Sequence, residues 1–144
     1  MIQPMSTSAV LRRRRSGCPI SIALELLGDA WSLLIVRDLM FKDRRTYNDF
    51  LTGGEGIASN VLADRLRKLE AANIIEKRRD PEDARRFLYR LSPRGIELAP
   101  VLVELVIWSA RHDQTDAPPA VVRSMRSDKE NFLAEVRRRW RADG

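Results

Sequence analysis

The sequence of 144 residues contains one cysteine, Cys18, and one histidine, His112. A single thiol cannot close an internal disulfide, which fits a reducing compartment and leaves only an intermolecular bridge open. A metal site of His and Cys ligands has too few members. A Ser-His-Asp or Cys-His catalytic group would have to be built on that lone residue at a helix end. No metal, cofactor or catalytic set is therefore expected, and the chain is not read as an enzyme. Asp80, Glu82 and Asp83 are taken as a solvated loop tip rather than a cation site. Long apolar runs are lacking too. The longest, Ile96 to Ala110, is broken by Pro100 and Glu104 and falls short of the ~18 residues a membrane span needs. Arg12 to Arg15 is followed by Gly-Cys-Pro and not by a long apolar segment, so a secretory signature is missing. The expectation is a cytoplasmic protein with no membrane partner.

What is present is positive charge. Lys and Arg number 26 against 20 Asp and Glu, for a net charge of +6. The cations are mostly arginine and cluster at 12–15, 42–45, 65–68, 77–79, 85–90 and 137–141. Arginine grips phosphate oxygens with a planar fork, so the distribution tilts toward a polyanionic partner. The length suits one domain that buries roughly two-thirds of its unfolded surface.

Residues 1–17 have no apolar periodicity and are expected to form a flexible basic arm. Pro19 starts a helix carrying Ile20, Ala23, Leu24 and Leu27, and Gly28 stops it. Asp29 caps a second helix from Ala30 to about Phe41, with Trp31, Leu34, Ile35 and Leu39 on one face. Thr46 and Asp49 form a capping box for a short helix bearing Tyr47, Phe50 and Leu51, which Thr52 to Gly56 ends. The next helix places Leu62, Leu66 and Leu69 on an inner stripe and Asn60, Asp64, Arg67 and Ala71 on the opposite side. Asn73 is a left-handed cap, after which 74–79 and 86–91 read as strands joined by a charged loop. Ser92 and Pro93 open a helix to about His112 that Pro100 should kink or break near Glu97. That helix is apolar on two sides and wants two partners, the second often another subunit. Residues 113–144 are read as a linker and a basic amphipathic helix with Phe132, Leu133, Val136 and Trp140 on its apolar side.

The fold class this order supports is mainly α with a small β-hairpin, a winged helix-turn-helix spanning 18–112. Arg67 has the geometry to hold guanine and Asn60 adenine, each good pair discriminating by roughly 1–3 kcal/mol. The candidate DNA-contacting set on the recognition helix is Ser59, Asn60, Ala63, Asp64, Arg67 and Lys68. Phosphate contacts are assigned to Arg44, Arg45, Thr46 and Ser59, with Arg78, Arg79, Arg85 and Arg86 on the wing. Asp64 is expected to hold Arg67 and Lys68 in place rather than to read cytosine.

Cys18-Pro19, Gly28-Asp29-Ala30-Trp31 with Leu34-Ile35, and Arg45 to Phe50 carry a family pattern. So do Gly56-Ile57 leading to Leu62, Arg65, Leu66, Leu69 and Glu70, Tyr89 to Gly95, and Ala99 to Leu102 closing on Trp108. Over Cys18 to Trp108 the chain resembles the bacterial HxlR-type winged helix-turn-helix regulators, relatives of the MarR type. The resemblance implies a homodimeric regulator of transcription on double-stranded DNA, with N- and C-terminal helices making the dimer. Ile20, Leu24, Val101, Leu105 and Trp108 are the candidate interface. It also implies a redox or electrophile sensor at Cys18 for some members, and so a small-molecule or oxidant effector. An inert thiol buried at the dimer interface is the competing reading. Two departures from the pattern are Ala30, where a basic residue is usual, and Ala58, where Ser is common. With Ala58 unable to cap, Ser59 is expected to cap the recognition helix. The alternative function is a winged-helix protein-interaction module that does not read DNA.

Overall fold

The computed structural model describes residues 14–144, so most of the expected arm, residues 1–13, lies outside it. Eight helices and one hairpin are formed among the described residues. They are α1 (Pro19–Leu27), α2 (Ser32–Phe41), α3 (Tyr47–Leu51), α4 (Ser59–Ala71), β1 (Ile75–Arg79) and β2 (Phe87–Leu91). The chain continues with α5 (Pro93–Ile96), α6 (Ala99–His112), α7 (Pro119–Ser127) and α8 (Lys129–Ala142). No single helix is long and apolar enough to cross a membrane.

Local chemistry sets most of the boundaries. Asp29 Oδ1 accepts from the amides of Trp31 and Ser32, and Oδ2 accepts from the Ser32 hydroxyl. It therefore caps α2, although regular helix begins at Ser32, two residues later than expected. The capping box is complete: Asp49 N donates to Thr46 Oγ1, and Thr46 N to Asp49 Oδ2. Gly56, at φ 76°, takes the left-handed turn into α4 that a side chain would strain. At the far end Asn73, at φ 59°, closes a Schellman motif, with Ile74 N bonded to Leu69 O and Asn73 N to Glu70 O. The break expected from Pro100 is present, since α5 ends at Ile96 and α6 restarts at Ala99.

The main core joins Ile35 and Val36 of α2, Phe50 of α3, the Leu62, Leu66 and Leu69 stripe of α4, Ile75, Leu91, Ile96 and Leu102. Burying each of the three leucines contributes about 1.5–3 kcal/mol of gross hydrophobic stabilisation. β1 and β2 pair antiparallel from Ile75↔Leu91 to Arg79↔Phe87, and the hairpin reaches this core through Ile75, Leu91 and the Tyr89 ring, which meets Phe50 edge-on. Gly95 permits that junction, because a Cβ there would lie 2.1 Å from Ile74 O.

The C-terminal segment departs from the sequence reading. It is two helices interrupted at Asp128, and it does not stand apart from the winged domain. Val136 is buried in the main core, and Trp140 Nε1 donates to Leu91 O at 2.9 Å. Val103 and Ile107 of α6 form a second cluster with Met125 of α7, flanked by Phe132 and Leu133. The second apolar side of α6 is thus covered within the chain. A third side, Val101, Leu105 and Trp108, stays exposed.

Candidate nucleic-acid interface

The glycine-rich turn joins α3 to α4, and Tyr47 braces it by donating from its hydroxyl to Ser59 O at 2.9 Å. With the leucine stripe turned inward, Ser59, Asn60, Ala63, Arg67 and Lys68 are exposed. Ser59 is the first helical residue and not the cap. Ala58 occupies the cap position with extended backbone, and no side chain bonds the first amides. An extended backbone is available to alanine as readily as to serine, so the helix starts at Ser59 without a side-chain cap.

Asp64 organises the outer face. Its carboxylate meets Arg65 and Arg67 at 2.5 Å each and Lys68 at 3.1 Å. The hydrogen bond from Lys68, with the three positive charges, holds the Asp64 carboxyl below the usual carboxylate range. Arg65, on the flank of the helix, also lies 3.1 Å from Asp29 Oδ1, joining α4 to the start of α2. Burial would raise the Asp29 pKa. The Ser32 hydroxyl, the two capping amides and Arg65 outweigh it and bring the value to about 2.

The arginines expected on phosphates divide into two groups. Arg78 is exposed and has no side-chain partner among the described residues, and Arg85 is 92% exposed with only Asp83 beside it. Arg79 is exposed, donates to Ala84 O and, with Lys77, lies over the Phe87 ring. Arg86 forks onto buried Asp80 and braces the wing loop. Arg44 is bonded to buried Asp38 at 2.9 Å, where Arg37 also binds. Thr46 is buried, with its hydroxyl occupied by the capping box. Arg44, Thr46 and Arg86 thus each make contacts within the protomer, and the Arg86 side chain is still 50% exposed. Arg45 is shared between Asp43 and Asp143 at the end of α8. A groove between α3 and the wing is lined by Tyr47, Asn48, Arg85 and Phe87.

Sequence reasoning missed Tyr47 as the brace of the turn and Arg94, which donates to Ala72 O at the end of α4. Nothing local marks Arg94. Cys18 is exposed at the position before α1, so burial within the protomer does not apply to it.

A helix pair across a tight turn, followed by a hairpin with free arginines, defines a winged helix-turn-helix, a DNA-binding architecture. The description "HxlR-like helix-turn-helix" matches residues 26–117, and the chain belongs to that family. An HTH-type transcriptional regulator of Synechocystis, sll1512, is 39% identical over 88 residues, covering 61% of this chain and 64% of that protein. The HTH-type transcriptional regulator YodB of Bacillus subtilis is 32% identical over 93 residues, 64% of this chain and 82% of its own. The reduced form of YodB superposes with TM-score 0.55 and 30% identity, over 66% of this chain and 93% of that one. PA1607 superposes with TM-score 0.64 and 31% identity, over 72% and 71%. YodB has also been solved treated with diamide and bound to quinone.

Proposed function

We infer that the chain is a homodimeric, sequence-specific regulator of transcription that places α4 in the major groove and its wing on flanking phosphates. The observation that carries this reading is the outer face of α4, where Asn60 and Arg67 are exposed and Asp64 holds the Arg67 fork in place. Arg78 and Arg85 supply backbone contacts that do not read sequence. The dimer is supported by Ile20 and Leu24 on α1 and Val101, Leu105 and Trp108 on α6, with Ile20 71% and Trp108 61% exposed. A protomer with so much uncovered aliphatic and aromatic surface is completed by a second copy, and two copies match a pseudo-palindromic site. Cys18, exposed beside α1, is the residue through which oxidants or electrophiles would alter the dimer, by analogy with the diamide- and quinone-treated YodB.

Fluorescence anisotropy on the DNA upstream of its own gene, against a scrambled duplex at about 150 mM salt, tests the reading. Preference for the natural duplex by two orders of magnitude or more supports it. Equal, salt-sensitive affinity for both would favour an interaction module.

A further inference from the structure

The last helix creates a cavity that the family region alone does not contain. It lies between the end of α2, the end of β2 and α8, and its volume is about 340 Å³, within the range of small-molecule sites. Since α8 begins beyond residue 117, the cavity depends on the part of the chain outside the matched region.

Its walls are of two kinds. Leu39, Phe41, Ile96 and Val136 provide an apolar floor, and Trp140 closes one side with the Arg90 guanidinium 5.0 Å from its ring centre. Arg45, Arg90, Arg138 and Arg139 line the rest together with the carboxylates of Asp43 and Asp143. Arg138 is held by Glu135, and Arg45 by Asp43 and Asp143. Arg90 and Arg139 have no carboxylate within salt-bridge distance among the described residues. Arg90 is crowded by Gly144, which leaves Arg139 the more accessible of the two. A floor of aliphatic and aromatic side chains beside two guanidinium groups that no salt bridge holds among the described residues suits a flat apolar body ending in an anion.

We propose that the cavity between α2, β2 and α8 is a binding site for a small aryl carboxylate, whose ring lies on Phe41 and Trp140 and whose carboxylate meets Arg139 and Arg90. Inorganic phosphate matches the charge but leaves the apolar floor uncovered, and a neutral arene leaves the guanidinium groups unanswered. Arg45 connects the site to the helix-turn-helix, because its amide donates to Asp49 and its carbonyl accepts from Tyr89 N. Binding itself does not depend on DNA recognition, and its test contains no DNA.

The probe is 2-naphthoate, titrated into the full-length protein while the indole N–H resonances are followed by NMR. The Trp140 indole donates to Leu91 O at the cavity wall, whereas Trp31 and Trp108 lie elsewhere and serve as internal references. The expected result is a saturable shift of the Trp140 resonance with Kd below about 1 mM, at least tenfold weaker binding of 2-naphthamide, and an unmoved Trp108. Arg139→Gln should weaken 2-naphthoate about tenfold, since a charge-assisted hydrogen bond is lost, and should leave the melting temperature unchanged because the side chain is exposed. No saturable shift at Trp140, equal binding of the amide, or undiminished affinity in the variant would each overturn the proposal.

Discussion

Asp29 and Arg65 meet at 3.1 Å, across the junction between the start of α2 and the flank of α4, the helix proposed to read DNA. One carboxylate thereby caps α2 and anchors the flank of α4. Replacing Asp29 by Ala removes a cap worth about 1 kcal/mol as well as the ion pair, and should lower the melting temperature by about 2–4 °C or more. The pH dependence has a definite sign. The folded-state pKa of about 2 lies below the ordinary 3.8, so this stabilisation is complete above the ordinary value and fades as pH falls toward 2. Thermal melts of wild type and variant should therefore differ at pH 6 and converge at about pH 2.

Asp64 restrains Arg67 and Lys68, and its removal should change the kind of binding more than its presence. With Asp64→Asn, both cations are released toward phosphates. Affinity for random duplex should rise, and the slope of log K against log salt should steepen by about 0.9 per added phosphate contact. A salt titration by anisotropy measures this directly.

Arg78 and Arg85 are uncommitted or nearly so, whereas Arg86 is bound to buried Asp80. Arg78→Ala and Arg85→Ala should weaken natural and scrambled duplexes by similar factors and leave stability unaltered. Arg86→Ala should instead lower the melting temperature, because it leaves a buried carboxylate without its partner.

The exposed face of α1 and α6 predicts the assembly. Leu105→Asp places a charge on a residue 45% exposed in the protomer, so the monomer should fold normally. Sedimentation should show a dimer for wild type and a monomer for the variant, with specific DNA affinity reduced at least tenfold.

Much of this architecture was legible because it is set by near neighbours. The Thr46–Asp49 box, the Asn73 turn and the break before Pro100 depend on residues within five positions of one another. The fates of the arginines were not legible. Arg44 and Arg86 each pair with an aspartate six residues away, and their identity as cations says nothing about whether that partner is buried. The seat of α8 was hidden for a related reason. Its apolar stripe of Phe132, Val136 and Trp140 announces a partner, but the Trp140 bond to Leu91 spans 49 residues. That docking also explains why α6 needs less from a second subunit than its composition suggested.

Cys18 is exposed and is the only thiol, so one substitution isolates it. Diamide or a quinone should alter DNA affinity of the wild type by at least tenfold, and Cys18→Ser should abolish the response while retaining binding. Unchanged affinity after complete modification, verified by mass spectrometry, would remove Cys18 from the account.

The central claim is that Arg67, on the outer face of α4, reads base identity. Selection of genomic fragments by wild type and by Arg67→Ala, followed by sequencing, tests it most directly. Wild type should enrich a pseudo-palindrome with half-sites about one helical turn apart, and the variant should lose preference at one symmetric base position at a cost of about 1–3 kcal/mol. An identical motif for both proteins, or no motif for wild type, would contradict it.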